Sequence, residues 1–430
     1  MRASAWPVTP VLMFAIAYAV AAVPMQDYLM LGGVSHSQLA TLGLVVGLII
    51  HWRLHPWRAW RSDETVWMRL AVLTALTLSA AFTPYEWRES VAEIRRWGVA
   101  LLVGYLVYAA PQRWRDVRLL WGVLLIAPVG AAVFALYQSV MGIGPAAFGI
   151  AGTSFTRSFG TIGQPNSFAG YLNGAWPFLL AMTIWAWQSR WRWRWLVTIG
   201  LGITWFALLL SFSRGGWLGA TAGLLVMAWL IGGWWRRGVA LVIVVATLVL
   251  AGGWQLIPAP IGPRLGSASQ IFTAPDIPRD EAQQRPDVYA AVERAAQFKA
   301  GWLMWQMAPL TGIGVGNYSN AYLDVAYNTW WISRGHAHNA YMQIAAEQGV
   351  IGLIAYLGLW LVQWRRTVRG VSNSGFVRWL SIGACGSLVA VAAHECFEYL
   401  QVHYLPVHVA AVIALAGVAP HVASSGEERI

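Results

Sequence analysis

The sequence predicts an all-α polytopic membrane protein with about twelve transmembrane helices. Of the 430 residues, 58% are hydrophobic and only 11% are charged, whereas soluble domains carry about 25% charged residues. The chain also contains twelve apolar runs whose lengths approach that needed to cross about 30 Å of hydrocarbon. Most of the basic residues are arginines outside the long loop, in or beside short loops between these runs, and this distribution orients helices in a membrane.

The apolar runs divide the chain into two helical blocks and one long loop. The predicted spans are 8–24, 38–51, 66–83, 95–110, 117–138, 167–187, 194–212, 216–234, 238–257, 348–364, 377–396 and 403–420. Spans one to nine lie in residues 1–257, spans ten to twelve lie in residues 348–430, and residues 258–347 form the loop. Pro286 is expected to begin a helix in this loop, because apolar residues recur after it at helical spacing.

The basic residues predict the orientation of the spans. If both termini are cytoplasmic, the inner segments hold 18 of the 29 Lys and Arg residues, and the short outer loops hold five. Residues 258–347 then face outward. A net charge of +11 would suggest nucleic acid as the partner of a soluble protein. Here the basic residues lie beside tryptophans at the ends of apolar runs, so the expected partners are membrane lipids and no nucleic acid.

The five basic residues in short outer loops require an explanation. They are Arg88, Arg95, Arg96, Arg157 and Arg214. Arg214 lies in SFSRGGW between two spans, where an arginine held against hydrocarbon costs on the order of 2–3 kcal/mol. This cost favours an anionic partner, although the side chain could instead extend to water. The three arginines in EWRESVAEIRRW lie beside glutamates at helical spacing, which favours local ion pairs.

Two further segments of the outer side carry candidate binding residues. Arg294 and Lys299 are about one and a half turns apart on the predicted helix from Pro286, so they could flank a phosphate. In GTIGQPNSFAGYL, Gln164 and Asn166 belong to a turn that leads into a helix, with Asn166 as a plausible cap. The alternative is that these amides contact sugar hydroxyls.

The main candidate for acid–base chemistry is a pair of histidines, His336 and His338. They lie beside Arg334, Asn339 and Tyr341, shortly before the apolar run that begins at Val350. A neutral imidazole can accept a proton near neutral pH, so one of these histidines could act as a general base at a boundary between water and membrane. The alternative is a pair of interfacial residues whose hydrogen bonds are satisfied by neighbours.

The sequence does not favour a cofactor. His394 and Glu395, followed by His403, could suggest zinc, but Glu398 stands where the HExxH signature needs its second histidine. Polar stabilisation of a short outer loop explains these residues better. No phosphate-binding Walker loop occurs, so ATP-driven transport has no support. We therefore expect no metal and no cofactor.

Three separated stretches resemble the O-antigen ligase and polymerase family of bacterial envelope enzymes. They are SFSRGGWLG around Arg214, RAAQFK from Arg294 leading into PLTGIGVGNY, and HAHNAYMQIAAEQGVIG around His338. Each stretch is weak alone, whereas their order and spacing are specific. The resemblance covers the second half of the chain and the turn before residue 167.

The resemblance implies a C-type glycosyltransferase-like architecture in the bacterial inner membrane, with an active site and a large helical loop facing the periplasm. The implied donor is a glycan linked to undecaprenyl diphosphate, and the implied acceptor is the lipid A core. His338 would be the base of an inverting, metal-independent transfer. The resemblance places the arginines for the donor diphosphate at Arg214 and Arg294, with Arg264 as a further candidate, and it does not require His336. The residues themselves add Lys299 for the diphosphate. They also add, as possible substrate contacts, His336, Asn339, Tyr341, Arg88, Arg157, Gln164 and Asn166.

The resemblance leaves several activities open. An O-antigen ligase is the first expectation. With 430 residues and no added soluble domain, the chain suits a ligase or a polymerase better than a protein-glycosylating member of the family. The alternatives are an O-antigen polymerase, a protein O-oligosaccharyltransferase and, from a different class, a lipid-linked glycan transporter. A transporter would have no need of a histidine beside phosphate-binding arginines on the outer face.

Overall fold

Apolar helices make up nearly all of the regular structure. The structure is a computed structural model that describes residues 9–25, 30–54, 64–111, 113–150, 153–239, 241, 277–284, 286–402 and 404–423. The helices in these ranges are α1 Pro10–Ala21, α2 His36–Leu54, α3 Glu64–Ala81, α4 Trp87–Ala109, α5 Trp114–Val140, α6 Pro165–Gln188, α7 Arg194–Leu210, α8 Arg214–Ile231, α9 Arg279–Gln283, α10 Pro286–Met307, α11 Tyr318–Ala321, α12 Ala340–Gly370, α13 Gly375–Glu395 and α14 Leu405–Ala423.

Short elements connect some of these helices. Two-residue strands, β1 Met30–Leu31 and β2 Val34–Ser35, form an antiparallel ladder in which Met30 lies opposite Ser35. Single 3₁₀ turns occur at Val23–Met25, Ala146–Phe148, Gly160–Ile162 and Tyr322–Asp324. The prediction of an all-α membrane protein is therefore confirmed.

Most predicted spans coincide with helices. Five helical segments within the described ranges are long and apolar enough to cross a membrane: α2, Arg115–Val140 within α5, α8, α12 and α13. Three shorter apolar segments are α1, α7 and Leu405–Leu415 of α14. The predicted span 238–257 lies almost entirely outside the described residues. Twelve crossings, and a loop on the periplasmic side, therefore remain predictions.

Helix α13 lies at the centre of the bundle, where it contacts α6, α8, α12 and α14. Small residues allow this close packing, because a Cβ added to Gly219 or Gly223 of α8 would collide with backbone carbonyls of α13. The N-terminus of α8 is equally close to the end of α13: a Cβ on Gly215 would lie 2.8 Å from the His394 ring. This packing places the start of α8 beside the turn that follows α13.

Helix α10 follows the sequence prediction closely. It begins at Pro286, and the inward positions Val292, Ala295 and Ala296 are buried. Its later turns pack through Ala300 and Met304 against residues of the following loop and of α12. The helix thus lies against the helical bundle, and it carries Arg294 toward the end of α13.

Helix α12 is broken at Gly349, which has φ +64° and ψ −167°. The break receives the loop that precedes α11: Ile313 donates its backbone N–H to Ala346 O at 3.0 Å, and Val350 donates to Pro309 O at 2.8 Å. Gly312 has a positive φ of +72° in this loop. A Cβ at Gly349 would overlap the Leu310 carbonyl, so this position requires glycine.

We expect Gly349→Ala to destabilise the protein severely. The added Cβ meets the Leu310 backbone, and a non-glycine residue in this conformation costs about 1–3 kcal/mol before the collision is counted. Thermal unfolding in detergent should show a clear decrease in the midpoint temperature relative to the wild type. Gly122→Ala is the matched control, because Gly122 lies in α5 with no atom within 4 Å of its added Cβ. Similar midpoints for the two variants would contradict a strict need for glycine at 349.

Candidate active site

Polar side chains from three parts of the chain meet at one carboxylate, Glu398, in the turn between α13 and α14. His338 Nδ1 lies 2.9 Å from Glu398 Oε1, and His336 Nδ1 lies 3.7 Å from the same oxygen. Asn166 donates from Nδ2 to Oε2 at 2.8 Å, and Arg294 Nη2 lies 3.5 Å from Oε2. We refer to these five residues as the Glu398 cluster.

Burial and the neighbouring polar groups shift the pKa of Glu398 in opposite directions. Glu398 is only 5% exposed, and burial raises the pKa of a carboxyl group. The His338 imidazole, the Arg294 guanidinium and the His336 imidazole outweigh this effect and hold the pKa of Glu398 well below its usual value. Glu398 is therefore ionised, and it can only accept hydrogen bonds.

The charge of Glu398 decides which nitrogen of His338 carries the proton. Because the carboxylate only accepts, His338 donates from Nδ1, and the lone pair of the neutral ring is on Nε2. The His338 side chain is 15% exposed, and the Glu398 side chain is 6% exposed. The imidazole is thus the more exposed partner of the pair, and the orienting carboxylate is buried.

The backbone around His338 is strained and held from both sides. His338 has φ +52°, in the left-handed region, which is uncommon for a residue other than glycine. Its N–H donates to His336 Nδ1 at 3.2 Å. Asn339, the N-cap of α12, accepts from Met342 N at 2.8 Å and donates to Cys396 O at 2.9 Å. Asn339 therefore joins the start of α12 to the turn after α13.

Tyr341 provides a second connection of this kind. Its hydroxyl donates to Ala392 O of α13 at 3.0 Å. The sequence placed Asn339 and Tyr341 among possible substrate contacts. In the structure, both side chains bond to the backbone of the segment that carries Glu398, so they position the histidine loop relative to the carboxylate.

Arg157 and Asn166 extend the Glu398 cluster. Arg157 donates from Nε to Ser211 O at 2.8 Å and from Nη2 to Asn166 Oδ1 at 3.0 Å. The prediction that Asn166 caps α6 was wrong. The cap position is Gln164, Pro165 is the first helical residue, and Gln164 makes no capping hydrogen bond with its side chain. Asn166 lies inside the first turn, and its amide joins Arg157 to Glu398.

Two other predicted residues, Lys299 and Arg88, contact aromatic rings. The Lys299 ammonium lies 5.8 Å from the centre of the Tyr327 ring, whereas Arg294 on the same helix contacts Glu398. Arg88 is exposed at the start of α4, 6.0 Å from the centre of the Trp87 ring. Arg264 lies outside the described residues.

Two further arginines, Arg334 and Arg214, lie at other places in the fold. Arg334 pairs with Glu293 at 2.6 Å. Arg214 is the first residue of α8, after the Ser213 cap that accepts from Gly216 N. The next residue, Gly215, packs on His394 and Phe397. Arg214 therefore begins its helix next to the turn that carries Glu398.

The central residue, Glu398, was missed by the sequence interpretation, which treated it only as the residue that replaces a zinc-binding histidine. One signal was present: an acidic residue beside a predicted span must be paired or neutralised if it is buried. The residues considered there for zinc have separate partners. Glu395 accepts from Tyr356 and Gln401 at 2.6 Å each, His394 Nδ1 lies 3.4 Å from Asn173 Nδ2, and His403 lies outside the described residues.

One of two comparisons with known proteins found a similar family. Residues 199–357 match the model of a family described as O-antigen ligase. A comparison with curated proteins found no match for the chain. The matched segment is a little over a third of the chain, and it contains Arg214, Arg294 and both histidines of the Glu398 cluster, but neither Asn166 nor Glu398. In this segment the chain is similar to the O-antigen ligase family.

Proposed function

We propose that this protein is an O-antigen ligase that transfers polysaccharide from undecaprenyl diphosphate to the lipid A core oligosaccharide. The observation that carries the proposal is the His338–Glu398 pair, which lies beside Arg294 and follows the end of a candidate membrane helix. The family match supports glycan transfer of the ligase or polymerase type. An imidazole oriented by a carboxylate is suited to remove a proton from a hydroxyl group.

In the proposed reaction, the acceptor hydroxyl gives its proton to Nε2 of His338. Its oxygen attacks the anomeric carbon of the donor sugar, and the bond from that carbon to the diphosphate oxygen breaks. The electron pair leaves with undecaprenyl diphosphate, and the single displacement inverts the anomeric configuration. Glu398 holds the ring through Nδ1 and stabilises the imidazolium that forms.

The leaving diphosphate requires cations, and we assign this role to Arg214 and Arg294. Arginine stays charged at a membrane surface, and its planar fork matches phosphate oxygens. Arg294 lies 3.5 Å from Glu398 Oε2, which is long for a charge-assisted hydrogen bond of about 2.7–2.9 Å. The guanidinium therefore retains donors for a phosphate. Arg264 and Lys299 are further candidates for donor binding.

The proposed reaction can be tested by reconstitution. Purified protein in lipid vesicles is supplied with lipid-linked polysaccharide and lipid A core, and the products are separated by electrophoresis and analysed by mass spectrometry. Capped lipid A core identifies a ligase. Longer polysaccharide still on the lipid carrier identifies a polymerase, and modified protein acceptors identify a protein O-oligosaccharyltransferase. Movement of the donor across the vesicle without new glycosidic bonds identifies a transporter and rejects the proposal.

We further propose that the protein lies in the bacterial inner membrane, with the Glu398 cluster facing the periplasm and both termini cytoplasmic. The excess of basic residues in the short inner loops supports this orientation. Reporters that are active in only one compartment are placed at two positions. After Ile430, the reporter specific for the cytoplasm should be active. Near Ala274, the reporter specific for the periplasm should be active. If both positions were found in the same compartment, the predicted topology and the assignment of the site to the periplasm would be wrong.

A further inference from the structure

Beyond proton transfer, the Glu398 cluster has the composition of a zinc site. A nitrogen of His336, a nitrogen of His338 and a carboxylate oxygen of Glu398 all lie within 4.8 Å of one another. Two imidazoles and one carboxylate form a ligand set used by zinc enzymes that keep a fourth position open. We propose that His336, His338 and Glu398 bind Zn²⁺ reversibly, and that the bound ion inhibits glycan transfer.

The distances suit a tetrahedral ion of this size. Ligand atoms about 2.0–2.1 Å from zinc are about 3.3 Å from one another in a tetrahedron. Both Nδ1 atoms face Glu398 Oε1, at 2.9 Å for His338 and 3.7 Å for His336. These two distances lie on either side of the tetrahedral value, and the ligand atoms of all three residues lie within 4.8 Å of one another. The His338 N–H, which donates to His336 Nδ1, gives up that hydrogen bond when the metal binds.

The groups around the three ligands orient the carboxylate for this use. Asn166 holds Glu398 by Oε2, so Oε1 is directed to the histidines. Such support by a second layer of hydrogen bonds strengthens metal sites. The Arg294 guanidinium lies 3.5 Å from Oε2 and repels a second cation. Its charge makes the site weaker than a structural zinc centre, which is why we infer reversible occupancy.

Inhibition follows from the nitrogen that zinc occupies. Without metal, the His338 proton lies on Nδ1 and the lone pair on Nε2. When Zn²⁺ takes the Nδ1 lone pair, the proton of the neutral ring moves to Nε2, so the ring can no longer accept a proton from the acceptor hydroxyl. Glu398 is also withdrawn from its contact with the ring. The inhibition rests on the proposed function, whereas the zinc site itself does not.

The ligand set selects the cation. Imidazole nitrogen suits Zn²⁺ and other late transition metals, whereas Mg²⁺ and Ca²⁺ prefer all-oxygen sites. Zinc should therefore bind and inhibit at concentrations at which magnesium does neither. A chelator should restore the rate of zinc-treated protein without lowering the rate of untreated protein.

The site is tested by metal binding measured independently of activity. Protein without a polyhistidine tag, in lipid nanodiscs, is dialysed against Zn²⁺, and bound metal is counted by elemental analysis. The wild type should retain one Zn²⁺ per chain above the control, and His336→Ala and Glu398→Gln should each weaken binding by at least about tenfold. His36→Ala is the matched control, because that histidine contacts Tyr18 and is not part of the cluster. Unchanged binding in His336→Ala and Glu398→Gln would overturn the zinc site.

The inhibition is tested with the same proteins. For each variant, we measure the zinc concentration that halves its own metal-free rate. This concentration should rise at least about tenfold in His336→Ala and stay unchanged in His36→Ala. Binding at the cluster without inhibition would reject the inhibitory role and would count against His338 as the base. Loss of the zinc site alone would leave the proposed function intact.

Discussion

Replacement of His338 by alanine is expected to lower the turnover of glycan transfer by about 10²–10⁴-fold, the usual contribution of a positioned base. The donor should still bind, because Arg214 and Arg294 are unchanged. The variant removes the imidazole that lies 2.9 Å from Glu398, and no other side chain of the described site presents a basic nitrogen held in this way. Turnover is measured with reconstituted protein, and donor binding is measured separately with labelled lipid-linked glycan.

His336→Ala is the comparison variant for this prediction. His336 lies two residues away in the same loop, but its Nδ1 is 3.7 Å from Glu398 and accepts from the His338 backbone. Its loss should reduce turnover less than the loss of His338 does. The expected reduction arises because the His338 backbone N–H loses its hydrogen bond to His336. Near-normal turnover in His338→Ala, or an equal loss in both variants, would remove His338 from its role as the base.

The second large effect is expected from Glu398→Gln, which keeps the shape of the side chain and removes its charge. We expect turnover to fall on the order of 10²-fold or more, because an amide neither fixes the Nδ1–H form of the ring nor stabilises imidazolium. The KM for the acceptor should change much less than turnover. Glu398→Asp keeps the charge and should restore part of the loss.

Glu395→Gln is the matched control for the carboxylate. Glu395 is also buried and is only three residues away, but it bonds to Tyr356 and Gln401 and not to a histidine. A glutamine can still bond to both partners, so turnover should remain near the wild-type value. The thermal unfolding midpoint of both variants is measured as well, so that a general loss of structure is recognised. Equal losses of turnover in the two variants would show that replacement of a buried carboxyl group, and not orientation of His338, explains the effect.

The sequence determined the helical framework, because its signals are local. Hydropathy along single runs located most of the apolar helices, and the proline and apolar spacing after residue 286 located α10. Two of the proposed chemical groups were also identifiable, since Arg294 and His338 lie in short recognisable strings. These features depend on residues within a few turns of one another.

Only the tertiary structure decided what these groups contact. Glu398 is 60 residues from His338, 104 from Arg294 and 232 from Asn166 in the chain. No local spacing indicates such contacts. They arise because α13 packs between α6 and α8 through small residues and carries the following turn to the starts of α6, α8 and α12. For the same reason, Asn166 appeared to be a helix cap in the sequence, although in the fold its amide bonds to a buried carboxylate 232 residues away.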